Sequence, residues 1–189
     1  MPEKLLVQPP RRIPLWIRLS SWIAERKTRR ELLPPRILAW YPKAALSSGI
    51  MEVLVSHGEG RADARLLKLV RIQVSLHVGC PFCTEMNTSE ADEHHITERE
   101  LAAMQNEGAL EAGLFPRHEF VALTHARHLT ATPPIIDEAV AEELRQLFNE
   151  RELVIISTTI AQVNYWARLL RSLRVPMACP IGAESGHQK

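Results

Sequence analysis

Cys80 and Cys83 stand two residues apart in the run Gly79-Cys80-Pro81-Phe82-Cys83, in a chain of 189 residues whose other cysteine is Cys179. Glycine readily ends a helix and proline suits the first position of the next, so the run predicts Cys80 near a helix N-cap and Cys83 in its first turn. There, unpaired amide N–H groups and the positive end of the helix dipole favour thiolate over thiol and lower a pKa that is about 8.5 in a free peptide. With both sulfurs in reach of one disulfide, one attacks a peroxide or a disulfide and the other resolves the product. That is a complete two-electron redox unit.

Two other readings of the pair stay open. A zinc site needs two further ligands. His94 or His95 offers one, but adjacent histidines seldom bind one ion and there is no second C-x-x-C. Two inert core thiols are the other reading, since free cysteine is commonly buried. Cys179, in VPMACPIG, is read as incidental. His118, His125 and His128 have the spacing of one helical face, with no carboxylate that completes a ligand set, and are read as surface or core histidines.

The elements that must position the pair read as helices, because proline and glycine leave long gaps between them. Residues 135–175 contain neither, and Leu153, Ile156, Ile160, Val163, Ala167 and Leu170 recur there at steps of three and four. Acids precede (Glu150, Glu152) and arginines follow (Arg168, Arg171, Arg174), in keeping with the helix dipole. Thr97 with Glu100 predicts a capping box opening a helix that Gly108 would stop. A further helix is predicted over 117–129, and Asp137 or its neighbours begin the next. The segment before the cysteines is ambiguous. Val70, Ile72, Val74, Leu76 and Val78 alternate with polar residues, as in a strand, and a strand feeding a C-x-x-C is the thioredoxin arrangement. Yet residues 61–77 hold no glycine or proline and open on RADARLLK, a good helix former, so a helix buried on most sides is predicted.

The stretch RRIPLWIRLSSWIAERKTRR carries seven basic residues and one acid, interleaved with Trp16, Trp22 and aliphatic residues. An amphipathic helix with its aromatic face on the core or on a partner subunit is preferred to one lying on an anionic membrane. PPRILAWYP is read as a break before the next apolar segment. Residues 1–60 are taken as a helical arm of the same domain, 61–175 as its core and 176–189 as a tail. Hydrophobic residues make up 46% of the chain, enough for one proper core, and the net charge of +1 gives no polyanion-binding signature, so nucleic acid is not expected. No leader or membrane-span pattern is seen, and a cytoplasmic location is expected. In that reducing compartment, three cysteines make no disulfide framework.

The run LLKLVRIQVSLHVGCPFCTEMNTSEA resembles the core of the carboxymuconolactone decarboxylase-like superfamily, specifically its alkyl hydroperoxidase D-like branch. The later TATPPIIDEAVAEELRQLFNERELVIISTTIAQVNYWARLLRSL is similar to that family's following helices, so the likeness covers most of 61–173. The resemblance implies an all-α, single-domain helical bundle with its C-x-x-C at a helix N-terminus, no cofactor, and a homo-oligomer. It also implies that Cys83 attacks a hydroperoxide, that Cys80 resolves the disulfide, and that a thiol or dithiol partner such as a lipoylated protein reduces it.

The family's proton relay places a glutamate twelve residues before the first cysteine and a histidine four after the second. Here those positions hold Lys68 and Asn87. Charged lysine accepts no proton and asparagine is neither acid nor base, although a lysine field stabilises a thiolate. His77 and Glu85 are the nearest substitutes in the sequence. The expected function is therefore a thiol-dependent peroxidase or disulfide oxidoreductase. The alternatives are a non-catalytic oligomeric member that has lost its relay, and a lactone decarboxylase, whose acid-base chemistry needs no cysteine pair.

Overall fold

The computed structural model describes residues 5–54, 57–106, 110–111 and 113–177, and Gly108 and Cys179 lie outside them. The arm is helical, with α1 (Leu15–Thr28), α2 (Leu33–Leu38) and α3 (Pro42–Leu54). The core follows as α4 (Ala64–Val78), α5 (Pro81–Thr88), a 3-10 turn (Asp92–His94), α6 (Glu98–Gln105), α7 (Arg117–Thr130), α8 (Glu138–Leu147) and α9 (Glu150–Ser172). Among the described residues there is no strand, and no helix is long and apolar enough to cross a membrane.

Helix α4 is the hub. Asp63 caps it by accepting the Leu66 N–H at 2.8 Å. It packs against α9, α7, α6 and α5, and for that reason Leu66, Leu69, Val70, Ile72 and Val74 are all buried although they do not share one helical face. The strand-like alternation of this segment has that origin: a helix enclosed on most sides needs apolar residues at nearly every angle. Arg65 ties three core helices together, donating to Glu119 of α7 at 2.8 Å and to Glu100 of α6.

Caps fix the remaining starts. Thr97 and Glu100 form the capping box of α6, and Asp137 accepts the Ala139 and Val140 N–H groups at the start of α8. Helix α9 opens on a second capping box, Asn149 with Glu152, and buries Ile156, Ile160, Val163, Ala167 and Leu170 along one stripe.

The structure sharpens two readings of the arm. The break within PPRILAWYP falls at 39–41, before α3, whereas Pro34 and Pro35 occupy the first turn of α2, where a missing N–H costs nothing. Of the two places expected for the aromatic face of α1, the core or a partner subunit, this chain's core does not take it. Helix α1 buries Ile17 and Ser21, while Trp16 and Trp22 are about half exposed.

Candidate active site

At the end of α4, Gly79 takes the left-handed conformation (φ 67°, ψ 41°), its N–H bonding to the Leu76 carbonyl and the Cys80 N–H to that of Ser75. The chain thereby turns sharply into α5, with Pro81 in its first turn and Cys80 as its N-cap. The Cys80 sulfur accepts the Cys83 N–H at 3.2 Å, so a thiolate there meets one of the orphan amides of the helix start. Both cysteines are free and buried, at 1% and 5% exposure.

Their surroundings are apolar. Ala167 and Leu170 of α9 and Phe82 of α5 join them in one buried cluster, and the arm closes it from the other side with Ile37, Leu32 and Leu33. Leu5 and Val7 of the N-terminal strap, residues 5–8, lie on the same cluster. The strap is held by the Leu6 N–H on the Leu173 carbonyl at 3.1 Å and by the Trp40 indole N–H on the Gln8 carbonyl at 2.8 Å.

Within this apolar setting the two sulfurs differ. Cys80 is held below the ordinary thiol range, chiefly because the Cys83 thiol donates to it; its burial opposes this, and the Cys83 N–H, the positive field of Arg171 and the Phe82 N–H assist. Cys83 is pushed far up by donating that hydrogen bond, by its own burial and by the negative charge of Cys80, with a further push from the Glu52 carboxylate. The strongest influence on each sulfur is therefore the other one, and the two titrate together as a pair.

The four further residues singled out in the sequence lie as follows. Lys68 is buried on α4 and its Nζ pairs with Glu90 at 3.1 Å. Asn87 donates to the Ser75 hydroxyl at 2.9 Å, and that hydroxyl donates to the Arg71 carbonyl. Glu85 pairs with Arg30 at 2.5 Å, joining α5 to the end of the arm's first helix. His77 is exposed in the last turn of α4. The partners of Lys68, Asn87 and Glu85 are thus Glu90, Ser75 and Arg30 rather than a sulfur.

Two residues that spacing did not single out do act on the pair. Arg171 donates from Nη1 to the Val78 carbonyl at 3.2 Å and to that of Gly79, beside Cys80. Glu52 of α3 accepts from Trp166 Nε1 at 3.0 Å and from Gln162 Nε2 at 2.9 Å, and its other oxygen lies 3.6 Å from Arg71 Nη1. Trp166 packs on the cluster that holds the cysteines. Both residues sit far from the motif in sequence, and only packing brings them to it.

Among the described residues no three His, Cys, Asp or Glu side chains converge as a metal site. His94 lies in the 3-10 turn, followed by His95 at φ 54°. His118 stacks edgewise on Phe148, burial holds His125 below its ordinary pKa, and His128 Nδ1 is 4.0 Å from Asp137.

No family model matches the chain. Escherichia coli YnjA, an uncharacterised protein, is 26% identical over 172 residues, which is 89% of this chain and 91% of YnjA. The alkylhydroperoxidase AhpD core of a peroxidase-related protein from Ralstonia eutropha superposes with a TM-score of 0.72 at 15% identity, covering 85% of this chain and 84% of that one. The debrominase Bmp8 superposes with a TM-score of 0.76 at 16% identity, covering 92% of each chain, and a cysteine-to-alanine variant of that debrominase has been solved with 2,3,4-tribromopyrrole. The fold is thus the alkyl hydroperoxidase D-like one that the sequence resemblance implied, and it houses more than one chemistry.

Proposed function

From an alkyl hydroperoxidase D-like fold that holds a C-x-x-C pair at a helix start, we propose that the protein is a thiol-dependent peroxidase or disulfide oxidoreductase working through Cys80 and Cys83. The observation that carries this reading is the seat of two free sulfurs at one helix start. Cys80 is the N-cap of α5 and accepts the Cys83 N–H, in an apolar cluster where an unsupported thiolate would be costly. A purely structural pair of core thiols needs no such backbone support. The net reaction consumes one hydroperoxide and two thiols and gives an alcohol, water and the Cys80–Cys83 disulfide. A thiol or dithiol partner, a lipoylated protein being the natural candidate, returns the pair to the reduced state, and the cytoplasm is the compartment suited to that cycle.

One observation favours a second reading, the non-catalytic oligomer. Lys68 and Asn87 are committed to Glu90 and Ser75 and leave the usual relay unbuilt. Treating the reduced protein with cumene hydroperoxide decides between the two. The redox reading expects both thiols to be lost together, with a mass decrease of about two hydrogens that dithiothreitol reverses. Thiol consumption no faster than in an unfolded peptide selects the non-catalytic reading.

A further inference from the structure

The contacts that close the chain over the two cysteines are tied to the turn that carries them. We infer that the strap, residues 5–8, is a redox-coupled gate: latched while Cys80 and Cys83 are thiols and released when they are joined as a disulfide, with Arg171 as the positioning residue that links the two. The inference rests on the redox reading proposed above and adds the regulation of that site.

Burial makes a gate necessary. A disulfide is reduced when a thiolate attacks one of its sulfurs, and at 1% and 5% exposure neither sulfur is open to attack. Of the segments that pack on the pair's cluster, α2, α5 and α9 are helices, whereas the strap is irregular chain with Leu5 and Val7 half-buried. It is held by the Leu6 N–H on the Leu173 carbonyl and by the Trp40 indole N–H on the Gln8 carbonyl.

The first of these bonds is connected to the cysteines through α9. Leu173 is the C-cap of α9, and Arg171 lies in its last turn. Arg171 Nη1 donates to the Val78 carbonyl at 3.2 Å and to that of Gly79. The turn that delivers Cys80 and the carbonyl that holds the strap are therefore fixed to the same helix end. The fit is close: a Cβ on Gly79 would lie 2.9 Å from Nη1, so a turn that moves takes the guanidinium with it. In the thiol state Cys80 Sγ caps α5 by accepting the Cys83 N–H. Joining the sulfurs removes two protons and two electrons and makes one S–S bond, whose geometry is specific. The cap bond gives way to it, and the adjustment falls on Gly79, the left-handed residue between two helices. Arg171 passes the shift to Leu173, the Leu6 N–H is freed, and the strap lifts about its Trp40 tether.

Release in the oxidised state suits the larger reagent. A hydroperoxide is small and needs only brief openings, whereas a dithiol carried on a protein needs room. One of its thiolates attacks the disulfide, the S–S bond breaks, and a mixed disulfide forms. Its second thiol then resolves this, so the partner leaves as a disulfide and the pair regains two electrons and two protons. With the thiols restored, the strap closes.

Hydrogen exchange of the full chain reads the strap directly and needs no variant. Dithiothreitol-reduced protein is compared with protein oxidised by diamide, whose N=N bond takes up the two electrons and two protons, and peptide mass confirms the Cys80–Cys83 disulfide. Amides of 5–8 should exchange at least about fivefold faster in the oxidised protein, as the loss of one hydrogen bond allows, while those of α4 and α7 stay unchanged. Cys80→Ser with Cys83→Ser should show no response to diamide. Arg171→Gln should exchange quickly at the strap in either state, and Arg171→Lys, which keeps a donor, should regain part of the difference. A merely structural Arg171 would loosen both states equally and leave their difference intact. Equal strap exchange in the two wild-type states overturns the inference, as does a full redox response in Arg171→Gln. If cumene hydroperoxide forms the disulfide while the strap stays shut, the redox reading stands and the gate falls. If diamide opens the strap while cumene hydroperoxide leaves both thiols intact, the peroxidase reading fails and the gate stands. A pair that diamide cannot join overturns both.

Discussion

At the scale of single residues, Gly79 and Lys68 carry the sharpest consequences. Gly79 is left-handed, and a Cβ there would lie 2.9 Å from Arg171 Nη1, so Gly79→Ala both strains the backbone and displaces the guanidinium. The expected cost is about 1–2 kcal/mol, read as a lower urea midpoint, together with a rise in the Cys80 alkylation inflection. Lys68→Glu would bring a carboxylate up to Glu90, now 3.1 Å from Nζ, so restoring the family's relay takes Glu90→Gln beside Lys68→Glu and Asn87→His. General-base assistance is worth about 100-fold or more, and the triple variant should gain at least about tenfold in hydroperoxide reduction if a relay is all that is missing. A folded triple variant with no gain sinks the mapping of the relay onto positions 68 and 87. The cysteine pair and its helix-start geometry were legible in the sequence because Gly79, Cys80, Pro81 and Cys83 act on one another locally. Arg171 and Glu52 were not, because no local rule links either to the motif.

The same division between local and long-range information holds for the elements. Caps were readable wherever a side chain bonds its own helix, as at Thr97 and Asp137. The state of α4 was ambiguous because its pattern records four neighbouring helices rather than one face, and Pro34 and Pro35 read as a break although they begin α2. The start of α9 shows how an element is tied to another: Glu152 closes its own capping box and also accepts the Arg61 N–H at 2.7 Å, just before α4. The Arg61 and Asn149 N–H groups hold Glu152 below the usual carboxylate range. A carboxylate depressed in this way contributes stability that is complete above its unfolded value of about 4.3 and is lost as pH falls through the lower folded value. Urea midpoints should therefore drop on acidification from about pH 6 to about pH 3. In Glu152→Gln the midpoint should start lower and fall less; an unchanged pH profile would remove Glu152 from this role.

For the whole molecule, the arm leaves Leu15, Trp16, Leu19, Trp22 and Ile23 of α1 exposed, together with Ile50, Val53 and Leu54 of α3. Exposed apolar side chains in this number on two helices of the arm suit an interface, and a second copy of the chain, in closed symmetry, is the occupant we propose. Sedimentation at micromolar concentration should show a dimer or larger closed assembly, and Trp22→Glu should shift it toward monomer. The strap over the cysteines has a different consequence, one of kinetics. Leu5 and Val7 pack on the cluster of a pair that is almost wholly inaccessible, so a reagent reaches sulfur only in the fraction of molecules that have opened locally, and the strap is the segment whose lifting we expect to open them. The observed rate is then the intrinsic rate multiplied by an opening equilibrium, as in amide exchange from locally unfolded states. Bulky and small thiol reagents would be slowed by a common factor, and Leu5→Ser with Val7→Ser should accelerate both in parallel without shifting their pH inflections. Thiol labelling would in this way report how often one end of the chain breathes.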